Sequence, residues 1–166
     1  TNYACDNENN DCHLIVVQGN TLYEAYSANV GPDVAAATQV DALCLATWKL
    51  DAVYPGTLRG DHCTSADAAG FPIAPLLFNA DEIRAALARP SVADQHLGHA
   101  LRFILPNDRM ASLPDGPDSG TLRDRVYVRP GTHAGGPDGP TGAIPYGSRL
   151  RLRADFDMTG YSPAAR

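Results

Sequence analysis

The alternation of apolar and polar positions marks a hairpin near the start of the chain. His13-Leu-Ile-Val-Val-Gln18 and Thr21-Leu-Tyr-Glu-Ala-Tyr26 are β-rich runs separated by Gly19-Asn20, which has the length and composition of a tight turn. Antiparallel partners have residue numbers that sum to a constant. Pairing Gln18 with Thr21 therefore sets 17 opposite 22, 15 opposite 24 and 13 opposite 26. One face of the predicted hairpin carries His13, Ile15, Val17, Leu22, Glu24 and Tyr26; the other carries Leu14, Val16, Tyr23 and Ala25.

Beyond the Gly31-Pro32 break, the apolar run 42–50 predicts one or two buried strands that end before Tyr54-Pro-Gly56. Asn79-Ala-Asp-Glu82 sets an N-cap side chain three residues ahead of a carboxylate. Ile83, Leu87 and the alanines then supply an apolar stripe as far as Pro90, so a short capped helix is predicted. His99–Leu105 and Leu122–Val128 read as further strands. Residues 148–156 alternate strictly, with Leu150, Leu152, Ala154 and Phe156 predicted inward and Arg149, Arg151 and Arg153 outward. Proline and glycine crowd 112–120 and 130–147, which are predicted to be surface loops of the length that lines a site or lies disordered. With no repeat and no linker, the pattern predicts a single β-rich domain over residues 1–166. Its fold class is mainly β, an antiparallel β-sandwich or barrel with one short helix and long Pro/Gly loops.

Composition narrows the function classes. At 166 residues and 44% apolar content the chain hides roughly 70% of its unfolded surface, so its core does not depend on covalent staples. No apolar run approaches the ~18 residues of a membrane span, and no hydrophobic leader precedes residue 1. Of the net charge of −6, all is contributed by residues 1–58, where seven acids face Lys49 alone; the remainder balances twelve Arg against twelve acids. Such a chain lacks the basic footprint needed for nucleic acid and the polybasic segment needed for an anionic membrane surface, so neither partner is expected. Twelve of thirteen cations are Arg, which fits anion recognition by the guanidinium fork or simply reflects genomic base composition.

Cysteines at 5, 12, 44 and 63 form no C-x-x-C motif, which points to structural disulfides in an oxidising compartment, secreted or periplasmic. The expected pairing is Cys5 with Cys12 and Cys44 with Cys63; four buried thiols in a cytosolic protein are the alternative.

No G-x-S-x-G, H-E-x-x-H, Walker or dinucleotide fingerprint is present, and no cofactor is expected. The remaining constellation comes from strand geometry. His13, Glu24 and Tyr26 share a hairpin face, and His99 shares the face of Leu101 and Phe103. A Glu with apolar neighbours has a raised pKa and can exchange protons with a His, which makes His13, Glu24 and His99 the candidate acid–base residues. Tyr26, Arg102, Tyr127 and His133 complete the surround as expected substrate-binding residues. His133 would also extend the set to two His and a Glu able to hold a divalent metal. The competing interpretation is structural, with His13 and Glu24 bonded to each other or to Tyr26 at a sheet end. Thr64-Ser65-Ala66-Asp67 allows Ser65 as a nucleophile with His99 as base, although such a run is more often a hydrogen-bonded turn. Asp6-Asn-Glu-Asn-Asn-Asp11 alternates oxygen ligands but lacks the glycine and final acid of a calcium loop.

Four stretches resemble a group of uncharacterised secreted bacterial proteins: Cys63-Thr-Ser-Ala-Asp-Ala-Ala-Gly-Phe-Pro-Ile-Ala-Pro-Leu-Leu77, His99-Ala-Leu-Arg-Phe103, Tyr127-Val-Arg-Pro-Gly-Thr-His133 and Tyr146-Gly-Ser-Arg-Leu-Arg-Leu-Arg-Ala-Asp-Phe-Asp157. The hairpin, with His13 and Leu22-Tyr-Glu24, is similar too. The resemblance brings no activity. It departs at Cys63, where an aromatic would be expected, and it implies a C-terminal continuation. Ser162-Pro163-Ala-Ala-Arg166 starts a helix that stops at its nucleus, which likewise predicts a clipped or continued chain whose apolar face at 150–166 is covered by a missing segment or a partner chain. Two functions follow. One is a secreted hydrolase or lyase acting on an extracellular polymer, a polysaccharide, by His/Glu acid–base chemistry. The other is a non-catalytic cell-envelope or extracellular binding module, for which the loops and the Arg row form an interaction surface.

Overall fold

The computed structural model describes residues 12–30, 36–61, 67–113 and 126–166. Its regular structure is mainly β: strands β1 (His13–Gln18), β2 (Thr21–Tyr26) and β3 (Cys44–Lys49) form one antiparallel sheet in the order β1-β2-β3, and the described residues hold one α-helix, α1 (Ala80–Leu87). The hairpin register is the one the alternation predicts, from Gln18↔Thr21 to His13↔Tyr26. Gly19 takes φ 57° while Asn20 stays at negative φ. That is the habit of a type II′ turn, which needs glycine at its first central position and matches the twist of the flanking strands. β3 adds to the other side of β2, with Leu22↔Trp48, Glu24↔Ala46 and Tyr26↔Cys44.

This sheet is open. Among the described residues no second sheet faces it, so the sandwich or barrel is not formed there. Period-2 alternation needs a neighbouring edge to become a strand, and a run without one stays irregular. Residues 99–105 and 148–156 are such runs, predicted as strands but without strand structure. Leu150, Leu152 and Phe156, predicted inward, are exposed. Residues 122–125 lie outside the described residues, and Tyr127 makes only an isolated bridge with Tyr146.

The chain divides into two compact units, 1–74 with 105–148, and 75–104 with 149–166. In the first, Leu22, Ala46 and Trp48 form the core, with Tyr54, Leu58 and Ala74 packed on it. The Trp48 ring meets Tyr54 edge-on at 5.0 Å, the Arg59 guanidinium sits 5.4 Å from its centroid, and the Tyr54 hydroxyl accepts a hydrogen bond from the Lys49 N–H at 2.8 Å. In the second, α1 begins as the sequence predicts. Asn79 Oδ1 accepts from the Asp81 and Glu82 N–H groups, and Glu82 Oε2 accepts from the Asn79 N–H at 2.9 Å, closing a capping box.

Cys12 is disulfide-bonded, whereas Cys44 stands as a thiol whose pKa burial pushes up. The expected Cys44–Cys63 bridge is therefore not formed. Cys44 is the first residue of β3, an edge strand, with its backbone paired to Tyr26. Cys5 and Cys63 lie outside the described residues.

Candidate functional site

The site builds from β2. Strand alternation turns Glu24 to the same face as Leu22, into the core and not to solvent, and Glu24 is fully buried. A buried carboxylate needs donors. Here they are backbone groups from 49 and 50 residues away: Glu24 Oε1 accepts from the Ile73 N–H at 2.7 Å and from the Ala74 N–H at 3.0 Å. Oε2 and the Trp48 Nε1–H are both buried without a hydrogen bond of ordinary geometry. Burial holds the Glu24 pKa above the ordinary 4.5. The amides of Ala74 and Ile73 and the nearby indole of Trp48 pull the other way, and the charge of Asp67 adds to the rise.

The segment that Glu24 grips is fixed from further points. Asp67 Oδ1 accepts from the Ala69 and Phe71 N–H groups at 2.8 and 3.1 Å, the hydrogen-bonded turn that the sequence allows at Asp67. His133, buried in the 130–147 loop, meets the Ala68 carbonyl through Nδ1 at 2.8 Å; a carbonyl only accepts, so Nδ1 carries the proton. The Thr132 N–H donates to the Ala69 carbonyl at 3.0 Å. Residues 67–74 are thus clasped between the sheet and this loop, which packs as part of the fold.

The candidate residues lie as follows. His13 packs edge-on against Tyr26, with ring centroids 5.8 Å apart. His133 joins Glu24 only through the clasped segment. Tyr127 donates its hydroxyl proton to Asp61 at 2.9 Å, and the Arg129 guanidinium meets the same carboxylate from two sides, at 2.7 and 2.6 Å. His99 and Arg102 belong to the second unit. There His99 Nδ1 donates to the Ala100 carbonyl, Nε2 stands 3.8 Å from Glu82 Oε1, and the Arg102 N–H donates to the Leu76 carbonyl. Among the described residues no three His, Cys, Asp or Glu side chains gather as a metal site. In the first unit, Glu24 Oε1 is taken by two amides and His133 Nδ1 by a carbonyl. Ser65 lies outside the described residues, as does the Asp6–Asp11 run.

Sequence reasoning missed the amides of Ile73 and Ala74, the indole of Trp48 and the role of Asp67 beside Glu24. The one available signal was the number of polar groups at Asp67 next to an apolar, proline-containing run. The pKa shift gives a testable sign. A carboxyl whose folded pKa is raised contributes stability that is complete below 4.5 and is lost as pH rises through the folded value. Glu24→Gln cannot ionise, so thermal melts across pH 4–8 should show this variant gaining on the wild type as pH rises; parallel melting curves would show that Glu24 keeps an ordinary pKa. Neither a protein-family model, nor a curated protein, nor a solved structure matches this chain.

Proposed function

We propose that the chain is a non-catalytic extracellular or cell-envelope module that binds an anionic polymer, such as a uronate-bearing polysaccharide, on residues 149–161. One observation carries this reading: Arg149 and Arg151 are exposed and engaged by no ion pair or hydrogen bond, and they alternate with exposed Leu150 and Leu152. Their neighbour Arg153 differs, since both its Nε and Nη2 are held by Asp155 at 2.9 and 2.6 Å. Residues 149–166 carry four Arg against Asp155 and Asp157, a local excess of two positive charges in a chain of net −6. Arg151 and its successors line an open concavity, and the Phe156 and Tyr161 rings, 6.0 Å apart and half-exposed, supply flat apolar surface to sugar rings. Guanidinium forks match carboxylates, and such exposed contacts are screened by salt. The disulfide at Cys12 supports an oxidising compartment.

Retention on immobilised alginate against neutral dextran tests this. The wild type should be retained on alginate at low salt and released by 0.5 M salt. Arg149→Ala/Arg151→Ala should lose affinity about tenfold, from two exposed contacts worth up to about 1 kcal/mol each. Equal retention of the double variant, or none by the wild type, would refute the reading. The competing hydrolase or lyase reading has the raised pKa of Glu24 in its favour and the complete burial of that carboxylate against it. It predicts new reducing ends or unsaturated products from the polymer, abolished in Glu24→Gln.

A further inference from the structure

β1 is an outermost strand of the sheet, and among the described residues no strand pairs with its outer backbone edge. The two-residue turn makes Gln18–Thr21 a hydrogen-bonded pair. Alternation then turns the backbone groups of Leu14 and Val16 toward β2, and those of Ile15 and Val17 away from it. No hydrogen bond reaches the backbone of Ile15 or Val17 on that outer side. Edge strands are ordinarily shielded by lysine, proline, a bulge or an inward charge, because bare N–H and C=O groups template another strand. β1 has none of these, and its register with β2 runs without interruption. Its side chains are equally unprotected: Ile15, Val16 and Val17 are 37%, 43% and 57% exposed. The opposite edge, β3, ends in Lys49.

We propose that two copies of the chain pair antiparallel through β1, joining their sheets into one of six strands. Two properties of β1 select a second copy as the occupant. The first is charge. No Lys, Arg, Asp or Glu lies in His13–Gln18, so β1 set against itself places no like charges opposite one another and leaves no charge unmatched. The second is self-complementarity of register. New ladder bonds form only between residues whose backbone groups both point outward, so Ile15 faces one of His13, Ile15 and Val17. Facing Val17, it places the two-fold axis at Val16, with Val16 against Val16, Ile15 against Val17 and Leu14 against Gln18. Centring on Ile15 would instead set His13 against Val17, and centring on Val17 would set Ile15 against Gly19; both waste apolar surface. Pairing strands of this length buries several hundred Å² per copy, below the ~800 Å² per partner of a standard complex, so the dimer is expected to be a weak, concentration-dependent one.

Sedimentation velocity of the intact chain from about 1 to 500 μM tests the pairing. The wild type should shift with concentration toward twice the monomer mass of 17.6 kDa. Val16→Lys and Val16→Glu each place like charges across the axis and should each stay monomeric, with an unchanged far-UV spectrum, because the position is already part-exposed. An equimolar mixture of the two should dimerise again. A wild type that remains monomeric throughout, single variants that dimerise as well as the wild type, or a mixture that stays monomeric would each overturn the proposal.

Discussion

Replacing Glu24 with alanine should destabilise the first unit by about 3–5 kcal/mol, a large part of the 5–15 kcal/mol that holds a typical domain together. The substitution strands two backbone donors at once. The Ile73 N–H is buried and the Ala74 N–H partly so, and both donate to Glu24 Oε1. A buried donor left without an acceptor costs about 1–3 kcal/mol. A cavity opens as well beside Leu22, Ala46 and Trp48, at a point where Trp48 Nε1 already lacks an acceptor of good geometry. Glu24→Gln keeps an oxygen at the Oε1 position and should stay within about 1 kcal/mol of the wild type at acidic pH, where Glu24 is neutral as well. Chemical denaturation monitored by the fluorescence of Trp48, the single tryptophan, measures both. The structural reading of Glu24 fails if the alanine variant unfolds at the wild-type midpoint. Loss of structure in the glutamine variant would show that the negative charge, and not the accepting oxygen, holds residues 67–74.

What the sequence made legible here are the features whose determinants are local. A two-residue turn with glycine first fixes the register from Gln18↔Thr21 onward, because the side-chain period of a strand leaves no freedom once one pair is set. Asn79 and Glu82 likewise write both halves of a cap into four residues. Alternation at 148–156 looked as strong, yet it states only that a strand would be two-faced; whether an edge waits for it depends on residues elsewhere. Glu24 shows the same limit at the candidate site. Its place on an apolar face and the rise of its pKa follow from alternation, but its partners are main-chain N–H groups 49 and 50 residues downstream, and an amide carries no side-chain signature. His99 falls in the second unit and Glu24 in the first, and a shared period carries no information about tertiary neighbours.

A second large effect is expected at Gly147, where the chain passes closer to itself than any side chain permits. Gly147 takes φ 84°, and a Cβ placed on it would overlap the Val128 carbonyl oxygen and stand 2.9 Å from the Gly131 Cα. Both neighbours are backbone, so neither can yield by a rotamer change. That approach is part of a small ladder: the Val128 N–H donates to the Tyr146 carbonyl at 2.8 Å, and the Gly131 N–H donates to the Val128 carbonyl at 2.9 Å. Gly147→Ala adds about 1–2 kcal/mol for a left-handed alanine to an overlap that can be relieved only by parting these strands of chain, so a total on the order of 4 kcal/mol is expected. Parting them moves Thr132 and His133, which hold the carbonyls of Ala69 and Ala68, so the clasp on residues 67–74 loosens from the side opposite Glu24. Hydrogen exchange should therefore rise at the Ile73 and Ala74 amides in Gly147→Ala, although neither residue touches position 147. Gly142→Ala is the matched control, since a Cβ there meets open space and φ is ordinary. Equal exchange at Ile73 and Ala74 in the two variants would mean that the loop and the sheet grip the segment independently.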